Sequence, residues 1–211
     1  TAALAQWNLS DDDLSALAHH RALPEPASSD LRVEASMWGR RIIGATIPDE
    51  AFTLTRDPHE CPDDAALVDV AFVGGVPVSA NGVEMSLSEM LESLETIAGA
   101  HGVGRSLSDG FALEAPAARV LATACDALER TTLGDDIADL KRQLASVYSD
   151  AIPNGRWSSD VRRAIDSFAH VTNARVSGTV RLTLHAGQCT FVGCRSEADG
   201  HVESGSSMAV A

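Results

Sequence analysis

Apolar residues recur along this chain with two spacings, and the switches between them mark the elements. Leu14, Leu17 and Ala18 follow a capping Ser10 and the acidic run Asp11–Asp13, which suits the positive first turn of a helix. Residues 22–30 hold two prolines and read as a connector. Residues 31–43 are expected to be a loop entering a short strand or helix, broken at Gly44. Thr53–Asp64, with Pro58 and Pro62, is expected to be a loop. Alternation over Val68–Val73, the Gly74-Gly75 pair and Val76–Ser79 predict a hairpin, and Asn81-Gly82 turns the chain again into Val83–Met85. Ser86 and Glu89 have the spacing of a capping box, and Leu87, Met90, Leu91, Leu94, Ile97 and Ala98 follow at helical period.

Three further helices are predicted: Pro116–Arg130; Asp135–Ser149, with Ile137, Leu140, Leu144 and Val147 on one face; and Ser158–Asn173, with Val161, Ala164, Ile165 and Phe168 in period. Val176–His185 and Gln188–Arg195 alternate about an Ala186-Gly187 turn and predict an antiparallel hairpin. Hairpins and helices are both present without regular β-α-β alternation, so the fold class is α+β. Residues 1–195 are expected to form one domain and 196–211, rich in Gly and Ser, a mobile tail.

Composition narrows the function classes. Lys and Arg total 16 against 30 Asp and Glu, a net charge of −14, which repels a phosphate backbone and makes nucleic acid a poor partner. No apolar run reaches the roughly 20 residues of a membrane span, and residues 1–8 lack a leader's basic start, so a cytoplasmic location is expected. Four cysteines do not make a disulfide scaffold. Cys189-x4-Cys194, flanked by His185 and His201, is looser than zinc pairs usually are, and no metal ligand is assigned. His101-Gly-Val-Gly-Arg105 lacks the Lys-Ser/Thr of a phosphate loop and reads as a turn needing positive φ.

Several short runs occur in a recognisable order: Trp38-Gly-Arg40; Leu54-Thr-Arg-Asp-Pro58 with Cys61-Pro62; Gly75-Val-Pro-Val78 with Asn81-Gly82; Ile97-Ala-Gly99 and His101–Arg105. Glu114-Ala-Pro-Ala117, Asn154-Gly-x-Trp-Ser158, Arg175-Val-x-Gly-Thr-Val-Arg-Leu182 and Val192-Gly193 complete the series. Together they resemble the argininosuccinate synthase family, through its C-terminal domain. The resemblance implies an ATP-dependent, AMP-forming ligase. In that family ATP activates the ureido oxygen of citrulline as an adenylate, and the aspartate amine displaces AMP.

Three departures from the family qualify that implication. The Ser-Gly-Gly-x-Asp-x-Ser pyrophosphate loop of the family's N-terminal domain has no counterpart in these 211 residues. No cofactor is therefore expected on this chain by itself, and ATP is implied only through a nucleotide-binding domain or partner subunit. The segment after Arg105 is several residues short: a Glu that holds citrulline in the family is missing, and the Tyr position is Leu113. A citrulline-contacting Ser upstream of Trp38 aligns by spacing with Arg32. The resemblance thus nominates Arg32, Arg105, Leu113 and Glu114 as substrate-groove candidates, with no catalytic residue assigned. Arg32 and Arg105 are candidates to meet a carboxylate. Against this, Arg105 reads in preference as an internal contact holding its glycine loop and Arg32 as a solvated cation, and Glu114 reads also as a carboxylate placed before a helix N-terminus. Two functions follow: one half of a split, repurposed C–N ligase with a non-citrulline acceptor, or an inactive relative kept for assembly. Homo-oligomerisation is expected to be weaker than the family's tetramer, because no clasping helix follows Arg195.

Overall fold

The computed structural model describes residues 31–108, 110–196 and 202–204, the last three by backbone alone; the predicted first helix and connector lie outside them. The described chain falls into two units, residues 31–135 with 173–204, and residues 136–172.

In the first unit, β1 (Arg32–Ser36) and β2 (Gly39–Ile43) form a hairpin. Residues 31–43 are therefore a strand pair rather than a loop into one element. β2 pairs with β7 (Phe111–Glu114), and β7 with β6 (Arg105–Ser108), giving a four-stranded sheet ordered β1-β2-β7-β6. The strands β6 and β7 were not foreseen in the sequence. They occupy the shortened segment and turn through Gly110 at φ 78°.

The second sheet contains the hairpins that alternation predicts. β3 (Ala66–Val73) pairs with β4 (Val76–Ala80) through Gly74-Gly75, and β5 (Val83–Glu84) follows at Asn81-Gly82. β8 (Gly178–His185) and β9 (Gln188–Ser196) pair about Ala186-Gly187. β10 (Val202–Ser204) adds to β9, so part of the expected tail is a strand. The order is β10-β9-β8-β3-β4-β5, all antiparallel.

Period-two alternation divides this sheet cleanly. Val68, Val70 and Phe72 of β3, and Val180, Leu182 and Leu184 of β8, are buried. α1 (Leu87–Ala100), closed by the reciprocal Ser86–Glu89 capping box, packs on β4 and on α2 (Pro116–Leu133), which in turn crosses β8 and β9. Their inward stripes are Met90, Leu91, Leu94 and Ala98, and Val120, Leu121, Ala124 and Leu128. Each fully buried Leu or Val contributes roughly 1.5–3 kcal/mol.

The same alternation separates the thiols from the nearby histidine. Cys189 and Cys194 pair with Leu184 and Val180 on the inward face, whereas His185 pairs with Gln188 one position out of phase. Burial pushes the Cys189 thiol up. His201 lies outside the described residues, among which no group of three His, Cys, Asp or Glu is placed to hold a metal. No described helix is long and apolar enough to cross a membrane.

The other unit is built on α3 (Asp135–Ala151) and α4 (Asp160–Asn173). Arg156 N–H returns to the Ala151 carbonyl at 2.8 Å, and Gly155 takes φ 64° to make the stop. Trp157 then meets Tyr148 edge-on at 5.9 Å, and the Arg162 guanidinium lies 4.6 Å above the Trp157 ring. The predicted apolar face of α3 is only half covered, since Leu140 and Val147 are exposed while Ile137 and Leu144 are partly buried.

On the outer face of the larger sheet, Asp69 and Arg181 are directly paired and joined bidentately at 2.6 and 2.7 Å. Those hydrogen bonds hold the Asp69 carboxyl below its ordinary range. A depressed native pKa stabilises the fold above the unfolded value of about 3.9, and the contribution is lost as pH falls through the native value. Asp69→Asn should lower the urea midpoint at neutral pH, and the two proteins should converge in acid. A gap that stays constant with pH would contradict this.

Candidate functional site

The small sheet places charged residues in one transverse row. Ala35 pairs with Arg40, Arg40 with Glu114, and Glu114 with Arg105, so a carboxylate stands between two guanidinium-bearing strands on one face. The next row on that face is Val33, Ile42, Ala112 and Leu107, and Ile42 and Ala112 pack with Phe52 into a small core edged by Leu31, Ile47 and Ala51.

Glu114 is fully buried and fully engaged. One carboxylate oxygen accepts from the Leu54 and Thr55 amides at 2.7 Å each and from the Thr55 hydroxyl at 2.8 Å. The other accepts from the Thr53 amide and from Arg40 Nη1, both at 3.2 Å. A buried carboxylate must be matched in this way, because each lone pair taken from water without a partner is costly. Arg40 also donates to the Thr53 hydroxyl. Arg105 closes the other side: Nε donates to Thr55 Oγ1 and Nη2 to the Thr55 carbonyl, both at 2.8 Å, and the guanidinium stacks 4.1 Å over Phe52. Asp57 and Asp49 stand 3.9 and 4.0 Å from Arg105 Nη1.

The strap 53–55 is therefore gripped from the sheet, and α1 grips it from behind. The Arg56 amide donates to the Gly99 carbonyl at 2.9 Å, and a Cβ on Gly99 would lie 2.0 Å from the Leu54 oxygen. No side chain fits there. The His101–Arg105 turn joins α1 to β6, with Gly102 and Gly104 at φ 71° and 100°, the positive values read from its sequence. Gly104 also faces Pro116 so closely that a Cβ would sit 2.6 Å away.

The opposite face of the same sheet is open. Glu34 pairs with Arg41, Arg41 with Leu113 and Leu113 with Ser106, and the first three of this row border a cleft of about 380 Å³. Ala35, Ser36, Gly39 and Arg40 of the hairpin, Trp38 at its turn, and Ala115 and Ala118 at the start of α2 add to its wall. The Arg41 guanidinium lies 4.7 Å over the Phe111 ring.

The four candidates do not converge. Leu113 lines the cleft, 40% exposed. Arg105 and Glu114 meet through Thr55 on the other face, where Glu114 has no exposed surface. Arg32 is a row away, its side chain 66% exposed and paired with Glu34 at 2.9 Å. Sequence reasoning missed Arg41, Trp38 and Glu34 in the cleft, and Arg40 and Thr55 in the network. The alternation of Arg32–Ser36 against Gly39–Ile43 was the available signal for the first group.

Both faces of this sheet can be compared with known proteins. A model of the arginosuccinate synthase C-terminal domain matches residues 40–210, which include the Glu114 network and half of the residues that line the cleft. The chain belongs to the argininosuccinate synthase family. The argininosuccinate synthase of Synechococcus sp. (strain JA-3-3Ab) is 32% identical over 209 residues, 90% of this chain and 52% of that protein. That of Oceanobacillus iheyensis is 33% identical over 214 residues, 93% and 51%. That of Dehalococcoides mccartyi (strain CBDB1) is 34% identical over 209 residues, 90% and 52%. The chain thus spans about half the length of the curated relatives it matches. The family match runs through residue 210, beyond Val192-Gly193, the last of the sequence motifs.

The network predicts a stability cost. Glu114→Gln should destabilise the chain by about 3 kcal/mol or more, because an amide nitrogen would face donors that need an acceptor and Arg40 would lose its charge partner. Thr55→Val should cost about 1–2 kcal/mol. Urea titration followed by circular dichroism measures both. A Glu114→Gln loss within 0.5 kcal/mol of zero, an order of magnitude below a buried pair's typical value, would contradict the assignment.

Proposed function

We propose that this chain is the acceptor-binding half of an ATP-dependent, AMP-forming C–N ligase of the argininosuccinate synthase type, acting on an acceptor other than citrulline. The observation that carries the reading is the cleft: Leu113, at the position where the family resemblance calls for Tyr, lies directly beside Arg41 on its wall. Leu has no hydroxyl to donate, so a hydroxyl-recognised ligand loses a partner there. The scaffold around it is intact. Arg40, Thr55, Arg105 and Glu114 keep a fully satisfied buried network, which is what a working domain needs to hold a site rigid.

In this reading the nucleotide is bound by a domain carrying the Ser-Gly-Gly-x-Asp-x-Ser loop, on this polypeptide or on a partner subunit. The residues of this chain orient the acceptor and exclude water while that domain holds the phosphates. No step of the chemistry is assigned to a side chain of this chain. The contribution is positional, and positioning alone supplies a large share of a ligase's rate.

The test is reconstitution. The chain is mixed with the nucleotide-binding domain of a bacterial relative, ATP and aspartate, and AMP is measured with citrulline and with a panel of carboxylic and amino acids. AMP release should depend on an acceptor from the panel and not on citrulline. Citrulline-dependent AMP release at the relative's own rate would overturn the reading.

A further inference from the structure

Among the arginines of the small sheet, Arg41 differs from the rest. Arg32 faces Glu34, Arg40 faces Glu114, and Arg105 has Asp49 and Asp57 within 4.0 Å. Arg41 has no carboxylate within that distance among the described residues. Its cross-strand neighbour Glu34 is turned to Arg32 instead. What Arg41 does have is the Phe111 ring at 4.7 Å. Stacking restrains one face of the guanidinium and leaves its N–H edge to donate, the arrangement that meets a carboxylate with two parallel hydrogen bonds.

The wall beside it is of another kind. Trp38 is 45% exposed and Leu113 40%, and Ala35, Gly39, Ala115 and Ala118 fill the space between with small apolar groups. Ser36 is the one neutral hydroxyl in the lining, and the other two charged residues there are engaged elsewhere, Glu34 with Arg32 and Arg40 with Glu114 and Thr53. A ligand rich in hydrogen-bonding groups would leave several of them unmatched against this wall, at a cost for each. An apolar body instead removes the indole and the leucine from water. A cleft of about 380 Å³ suits a small acid with one ring or a branched chain.

We propose that the cleft binds a carboxylic acid with an apolar body, its carboxylate on Arg41 and its body against Trp38 and Leu113. Calling this ligand the acceptor rests on the ligase reading; the binding does not.

The test is titration calorimetry on the full chain with 3-phenylpropionate, its neutral amide 3-phenylpropionamide, and citrulline. The acid should bind, and the amide and citrulline should bind at least about tenfold more weakly. Arg41→Gln should weaken the acid by roughly tenfold to a hundredfold and leave the amide unchanged. Because Arg41 is exposed, that variant should keep the wild-type melting profile. Trp38→Ala should weaken acid and amide by the same factor. Absence of heat with the acid, equal binding of acid and amide, or an unchanged affinity in Arg41→Gln would overturn the proposal. Acid binding without acceptor-dependent AMP release would overturn the ligase reading and leave this one standing.

Discussion

The carboxylate of Glu114 is the constraint on which the small sheet and its surroundings depend. It is fully buried, and five donors converge on it: three consecutive backbone amides, one hydroxyl and one guanidinium. Three amides can point at one carboxylate only if the strap 53–55 takes a single conformation. That conformation brings Leu54 against Gly99, where no Cβ is tolerated, and so fixes α1 relative to the sheet. Arg105 then reaches Thr55 from the far side, which fixes the end of the glycine turn. A charge that would be costly if unmatched thus selects one arrangement of four segments.

A strand has two faces, so this constraint reaches the cleft through the backbone and through Arg40, which belongs to the network and also borders the cleft. Arg40 and Glu114 point into the network, and Arg41 and Leu113, their chain neighbours, point the other way. A slip of one residue in β2 would turn Arg41 inward, and one in β7 would turn the Glu114 carboxylate outward, so register here is strongly specified. The network side of the sheet is rigid, and the cleft side can change its exposed side chains at little cost to the fold.

Much of the larger sheet was legible because its signals are local. Alternation in Val68–Val73 and Val176–His185, the glycine turns, and the Ser86–Glu89 capping box each depend on a few adjacent residues. The β1–β2 hairpin was not read, because its inward row carries the charged Arg40 opposite Ala35, which interrupts the apolar side of an otherwise regular alternation. β6 and β7 are four residues each, too short to establish a period. The site was less legible still. Glu114 precedes a helix, and nothing local says that its carboxylate is held by amides about sixty residues earlier in the chain. For Arg105 the sequence allowed a ligand or an internal contact; its donors go to Thr55.

Native-state amide hydrogen exchange is the most direct measurement of the central claim, that Glu114 locks the strap to the sheet. Leu54 and Thr55 lie outside regular strands and helices, and amides in an ordinary loop exchange quickly. Here they donate at 2.7 Å to a carboxylate with no exposed surface. They should be protected to the level of Ile42 and Ala112 in the sheet core and open only with it. Exchange of the two amides at loop rates, while Ile42 and Ala112 remain protected, would contradict the account.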